Sequence, residues 1–134
     1  MSEHEPARLN VPTEFPDGGD DAEILAYLVR YALLAPSSHN SQPWRFLLRG
    51  QEIELWADRS RQLPVVDPDG RELTISCGAA LYYLQVAARY YGYTGEAELL
   101  PDPDQPDLLA RLRLGAPRPV SEEDQRLFHQ LTRR

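Results

Sequence analysis

Residues 45–57 read RFLLRGQEIELWA, and this stretch decides the fold class. Arg45 to Leu48 has strand composition. Arg49-Gly50-Gln51 has turn chemistry, and Glu52 to Ala57 alternates acid and apolar residues as the returning strand of a hairpin. The apolar set Ile53, Leu55 and Ala57 takes one face. Glu52 and Glu54 take the other and read as a solvated strand face. Trp56 shares that outward phase, so something is expected to cover the face there.

On the N-terminal side, Asp20 or Asp21 caps a helix predicted to run to about Leu34. Its apolar positions Ile24, Leu25, Leu28, Val29, Ala32 and Leu33 recur at helical spacing. Ala35-Pro36 ends it, because a residue before proline is pushed out of the helical region. Residues 1–19 are charged and aperiodic, and read as a flexible arm ahead of one domain, 20–134.

On the C-terminal side, residues 59–72 form a loop with Asp67-Pro68-Asp69-Gly70 as a turn signal. Leu73 to Tyr91 is the most apolar segment and reads as a long central helix stopped by Gly92. Gly78, Ala79 and Ala80 would admit another backbone at close range. Thr94–Leu100 and Leu108–Leu114 read as two further strands, although Leu108, Leu109 and Leu112 also fit a helical turn. Ser121-Glu122-Glu123-Asp124 is a capping box opening a final helix. Helix, hairpin, long helix, two strands, helix is an α+β order with a mainly antiparallel sheet.

Composition narrows function by exclusion. The chain has 134 residues and a formal net charge of −7, which disfavours nucleic acid and anionic membranes as partners. There is no lysine, so Schiff-base and Walker-lysine chemistry are excluded. Cys77 is the single cysteine, and His4, His39 and His129 lack ligand spacing, so no metal site is expected. No apolar run reaches the ~20 residues of a membrane span. The polar N-terminus lacks a signal region, so the default location is the cytoplasm.

Chemistry concentrates in Pro36-Ser37-Ser38-His39-Asn40-Ser41-Gln42-Pro43, a polar loop between two prolines that offers hydroxyls, an imidazole and two amides. Ordinary turn chemistry accounts for the same residues. A hydrolase built on His39 and its serines lacks a G-x-S-x-G elbow. Cys77, among Ile75, Gly78 and Ala79, reads as a small buried residue rather than a redox thiol. Tyr82, Tyr83, Tyr90, Tyr91 and Tyr93 read as core and interface packing rather than a ligand-stacking surface.

Residues 35–46, APSSHNSQPWRF, resemble the A-P-S-x-x-N-x-Q-P-W-x-F signature of FMN-dependent nitroreductases. Residues 67–81, DPDGRELTISCGAAL, are similar to a stretch of the Acg-like branch, whose members are built from two tandem halves. The resemblance implies a nitroreductase-like fold present as one half, the N-terminal one. It implies FMN as cofactor, NAD(P)H as electron donor, and nitroaromatics or quinones as substrates. It places Pro36, Ser37, Ser38, Asn40 and Gln42 against the flavin, with Trp44 and Phe46 anchoring the loop. No protein residue is named as a catalyst, because in such enzymes the flavin carries the hydride. The family's arginine-rich phosphate-gripping segment has no match before Asp20, so weak FMN binding is expected of this chain alone. A homodimer or a missing C-terminal half would complete the site. The alternative implied by the same resemblance is a catalytically silent flavin-sequestering protein or dimerisation module.

Overall fold

The computed structural model describes residues 9–133. The part of the arm before Leu9, and Arg134, lie outside the described residues. Three helices, α1 (Asp21–Ala32), α2 (Arg71–Tyr90) and α3 (Glu122–Thr132), accompany four strands, β1 (Trp44–Arg49), β2 (Glu52–Ala57), β3 (Glu96–Leu99) and β4 (Leu108–Arg113). The sheet order is β1-β2-β4-β3 and every pairing is antiparallel. This is the α+β class read from the sequence.

Local chemistry accounts for most boundaries. Asp20 accepts the Glu23 N–H at 2.9 Å, and Glu23 accepts the Asp20 N–H in return, a complete capping box for α1. Ser121 and Asp124 do the same for α3. The α1 helix stops at Ala32, two residues short of the expected Leu34, with Leu33 as its C-cap. The β3 strand is shorter than the expected Thr94–Leu100. Gly95 (φ 71°) and Leu100 (φ 49°) leave the extended region at either side, and strand pairing stops there. Leu108–Arg113 is a strand; the helical-turn alternative is not adopted.

One face of the sheet carries the core. Ile53, Leu55, Ala110, Leu112 and Phe46 meet Leu25, Leu28 and Val29 of α1 and Leu73, Cys77 and Leu84 of α2, all buried in one cluster. Each fully buried leucine contributes roughly 1.5–3 kcal/mol of transfer free energy. Cys77 sits in this layer with its thiol donating to the Pro43 carbonyl at 3.4 Å, and burial pushes the thiol up to about 12.

The opposite face differs from its sequence reading. Glu54, expected to be solvated, is 2% exposed. The Trp56 indole N–H donates to its Oε1 at 3.0 Å, and Arg49 and Arg111 stand 3.4 Å from its two oxygens. The outward neighbours supply both cover and counter-charge, so alternation named the face correctly but not its exposure.

An aromatic cluster joins α1, α2 and α3. The Tyr27, Tyr31 and Tyr91 hydroxyls form a triangle with sides of 3.1, 3.2 and 3.2 Å. Phe128 of α3 stacks on Tyr90 at 3.8 Å between centroids. Phe15 stacks on Tyr91 at 4.8 Å, and Arg30 donates to the Thr13 carbonyl at 2.7 Å. Residues 9–19 therefore include groups packed against the helices. Tyr82, by contrast, is exposed on α2.

Candidate functional site

The loop between α1 and β1 is anchored at its exit. Pro43 is buried, its carbonyl accepts the Asp58 N–H at 2.8 Å, and Trp44 and Phe46 point into the core. Between the prolines, Ser38–Asn40 forms a short 3-10 turn closed by Asn40 N–H to Ser37 O and Ser41 N–H to Ser38 O, both 3.0 Å. His39, Asn40 and Gln42 all hold left-handed backbone, with φ of 53°, 56° and 48°. Left-handed backbone costs roughly 1–2 kcal/mol for an ordinary residue with a Cβ, and asparagine adopts it more readily. Such a conformation persists where the surroundings over-determine it.

Those surroundings are visible. Ser37 Oγ accepts the Gln42 N–H at 2.9 Å, and Asn40 Oδ1 accepts from Gln42 Nε2 at 3.4 Å. Arg61 donates to the Ser41 carbonyl at 3.4 Å. Ser38 turns the other way, onto α2. Its hydroxyl donates to Glu72 and its N–H donates to Ser76 Oγ at 3.3 Å. The structure therefore brings Ser37, Asn40 and Gln42 together and sends Ser38 to the helix, while Pro36 lies exposed at the loop entrance.

Sequence reasoning missed the groups that seat this loop: Glu72, Ser76, Arg61 and, behind them, Asp67. Asp67 is 5% exposed and accepts the N–H groups of Glu72 and Leu73 at 3.0 and 2.9 Å. It caps α2 from outside the helix, because the N-cap position is Gly70, in left-handed backbone with no side chain to offer. Gly70 holds φ 73°, a backbone conformation that residues with a Cβ rarely adopt, so the turn favours glycine. The Asp-Pro-Asp-Gly signal was legible as a turn. An acid placed three residues before a glycine N-cap was the available hint of the cap.

Beside the loop lies a cleft of about 500 Å³ along β1, lined by Gln42, Arg45, Asp58 and Arg61 over an apolar floor that includes Val29 and Leu33. Among the described residues no group of His, Cys, Asp and Glu is placed to hold a metal, and no helix is long and apolar enough to cross a membrane. The donor set fits a flavin in chemical type. Asn40 Nδ2 and Gln42 Oε1, on exposed side chains, have no partner among the described residues, and together they complement a ligand carrying both N–H and C=O groups.

No protein-family model matches the chain. Individual proteins do. It is 42% identical over 98 residues to "Putative NAD(P)H nitroreductase Rv3131" of Mycobacterium tuberculosis, an overlap of 73% of this chain and 27% of that protein. It is 37% identical over 97 residues to "Putative NAD(P)H nitroreductase acg" of the same organism, 72% of this chain and 29% of that protein. This chain is a homologue of proteins named putative NAD(P)H nitroreductases. A more distant relative, "Probable NAD(P)H nitroreductase PigM" of a Serratia strain, is 36% identical over 75 residues, 53% of this chain and 20% of that protein. The matches thus span less than a third of the curated relatives' length. The antiparallel α+β architecture is consistent with a nitroreductase-like fold.

Proposed function

We propose that this chain is the flavin-contacting part of an FMN-dependent, NAD(P)H-using oxidoreductase of the nitroreductase type, acting on nitroaromatics or quinones in the cytoplasm. The observation that carries the reading is the loop Pro36–Gln42. It spends strain to turn the Asn40 and Gln42 amides outward on a frame held by Arg61, in the turn after β2, and by Glu72 of α2. In this reading Pro36, Ser37, Ser38, Asn40 and Gln42 contact the cofactor. A bound flavin supplies hydride acceptance and donation. The chain's own residues bind and orient: Asn40 and Gln42 supply amide donors and acceptors, and Trp44 and Phe46 hold the loop's exit.

A second copy of the chain, seated on α2, belongs to the same proposal. Ile75 is 65% and Tyr82 45% exposed on this helix, and a Cβ built on Gly78 meets nothing within 4 Å. Apolar and small residues on an open helix face suit close approach of another helix.

The test is an FMN titration of the purified chain, read by flavin fluorescence and absorbance, beside a Ser38→Ala/Asn40→Ala variant. Binding that the variant loses supports the assignment. Reduction of the bound flavin by NAD(P)H then separates an oxidoreductase from a protein that only sequesters flavin. Absence of binding both in this chain and in a chain extended beyond Arg134 overturns the flavin reading. Light scattering coupled to size exclusion reports the dimer independently.

A further inference from the structure

The segment before α1 connects two parts of the molecule that the candidate loop leaves unexplained. Tyr27 and Tyr31, four residues apart, share one face of α1 and carry two corners of the hydroxyl triangle. Val29 and Leu33 share another face, which lines the cleft along β1, and Arg30 lies between the two faces. Residues 9–15 reach all three places. Leu9 and Val11 line the cleft with Val29 and Leu33. The Thr13 carbonyl accepts from Arg30 Nη1 at 2.7 Å. The Phe15 ring stacks on Tyr91 at 4.8 Å and meets Tyr27 edge-on at 5.5 Å. The segment therefore runs back along α1 as a strap, latched at the tyrosines and ending at the cleft.

Side chains alone hold the strap down. Among the described residues, no backbone–backbone hydrogen bond joins residues 9–14 to the rest of the chain. The turn that follows closes on itself, with Asp17 N–H donating to Phe15 O at 3.0 Å, Gly19 N–H donating to Pro16 O at 2.8 Å, and Gly18 at φ 74°. The α1 helix starts from its own capping box at Asp20, and Gln51 accepts the Ala22 N–H at 2.9 Å, so the helix keeps its N-terminus when the strap leaves. The other walls of the cleft are built differently: β1 pairs with β2 along its whole length, and α1 belongs to the core. A segment with few buried contacts and no ladder opens at a lower free energy than the elements around it.

We propose that residues 9–15 are a displaceable strap that forms one wall of the β1 cleft, latched at the tyrosine cluster by Phe15 and Arg30. Docked, the strap bounds the cleft at Leu9 and Val11. Released, it bares Val29 and Trp44, both buried in the docked state, and opens the flank of the candidate loop at Gln42, which lines the same cleft. The hydroxyl triangle then has a role besides packing. Its three hydrogen bonds fix the ring positions on which Phe15 seats. The strap acts on any ligand that the cleft takes, so the proposal stands apart from the flavin reading.

Two measurements on the full chain test this. Backbone amide relaxation in NMR reports the strap. Acrylamide quenching of Trp44 fluorescence reports the cleft, in a Trp56→Phe background that leaves one tryptophan. With the latch intact, order parameters at Leu9, Val11 and Thr13 are expected above about 0.7. In Phe15→Ala/Arg30→Gln they are expected to fall below about 0.6, and the Trp44 quenching constant to rise about threefold or more. Phe128→Leu is the control. Phe128 packs on Tyr31 and Tyr90 in the same aromatic cluster but makes no ring contact with Phe15 among the described residues, and its variant is expected to hold the quenching constant within about 1.5-fold. A strap already below about 0.6 with the latch intact, or one that stays ordered in the double variant, overturns the proposal. So does a released strap with Trp44 quenching unchanged. An equal rise in Phe128→Leu means a general loosening of the helices and also overturns it. Should the double variant fail to fold, Arg30→Gln alone, which removes one latch contact and no core ring, decides the matter: a partial rise in quenching is expected, and none overturns the proposal.

Discussion

Removing the Asp67 carboxylate should unseat the helix on which the candidate loop rests. Asp67 is 5% exposed, and its two oxygens accept the Leu73 and Glu72 N–H groups at 2.9 and 3.0 Å. Asp67→Ala leaves both donors unpaired at a helix end with no side-chain cap of its own. A lost cap costs roughly 0.5–2 kcal/mol and a lost hydrogen bond to a charged group roughly 1.5–3, so a combined loss of about 3 kcal/mol is expected. For a chain of this size that lowers the melting temperature by about 10 °C. Asp67→Asn keeps one neutral acceptor and should lose about half as much. The neighbouring turn is held separately, by Gln62 donating to the Asp67 and Pro68 carbonyls at 2.9 and 3.1 Å, so the loss reports the side chain. The assay is thermal unfolding by circular dichroism, with amide exchange read at Glu72 and Leu73. If Asp67→Ala melts within about 2 °C of the parent chain, the capping argument is refuted.

Cys77 should resist thiol reagents in the native chain at pH 8 and react on unfolding, since burial raises its thiol to about 12. With the folded value above the unfolded one, its contribution is fully present below about pH 9 and is lost as pH rises toward about 12; a pH series of urea midpoints for the parent and Cys77→Ala checks this. Glu54→Ala strips the acceptor from Trp56 Nε1 and a counter-charge from Arg49 and Arg111, and should destabilise by about 2 kcal/mol with a shift in Trp fluorescence. Unchanged emission and stability would speak against a buried acid there. Phe15→Ala should cost about 2 kcal/mol through its lost contacts with Tyr91 and Tyr27, and a loss under about 0.5 kcal/mol would mean that residues 9–19 do not dock in solution. Gly78→Ala should stabilise the chain by about 0.5–1 kcal/mol, because its Cβ meets open space. Gly78→Phe should keep the fold and dissociate the proposed dimer, as light scattering would show.

Much of the fold was legible because its causes are local. The cap at Asp20 and the capping box at Ser121–Asp124 act over three residues, and the alternation in 52–57 repeats every two. The candidate loop stood out for the same reason, since its residue types are contiguous. Its seating did not. Ser38 meets Glu72 across 34 positions, and nothing in either local pattern points to the other.

What the sequence by itself determined is the set of helices and strands, their order, the core-facing phase of the strand at 52–57 and the segment rich in ligand-binding groups, because periodicity and capping are properties of neighbouring residues. Only the tertiary structure decided that Glu54 is buried, that Asp67 caps α2, and that Ser38 of the loop turns onto Glu72. Those outcomes depend on which distant groups share one small volume, where burial and charge act through space rather than along the chain.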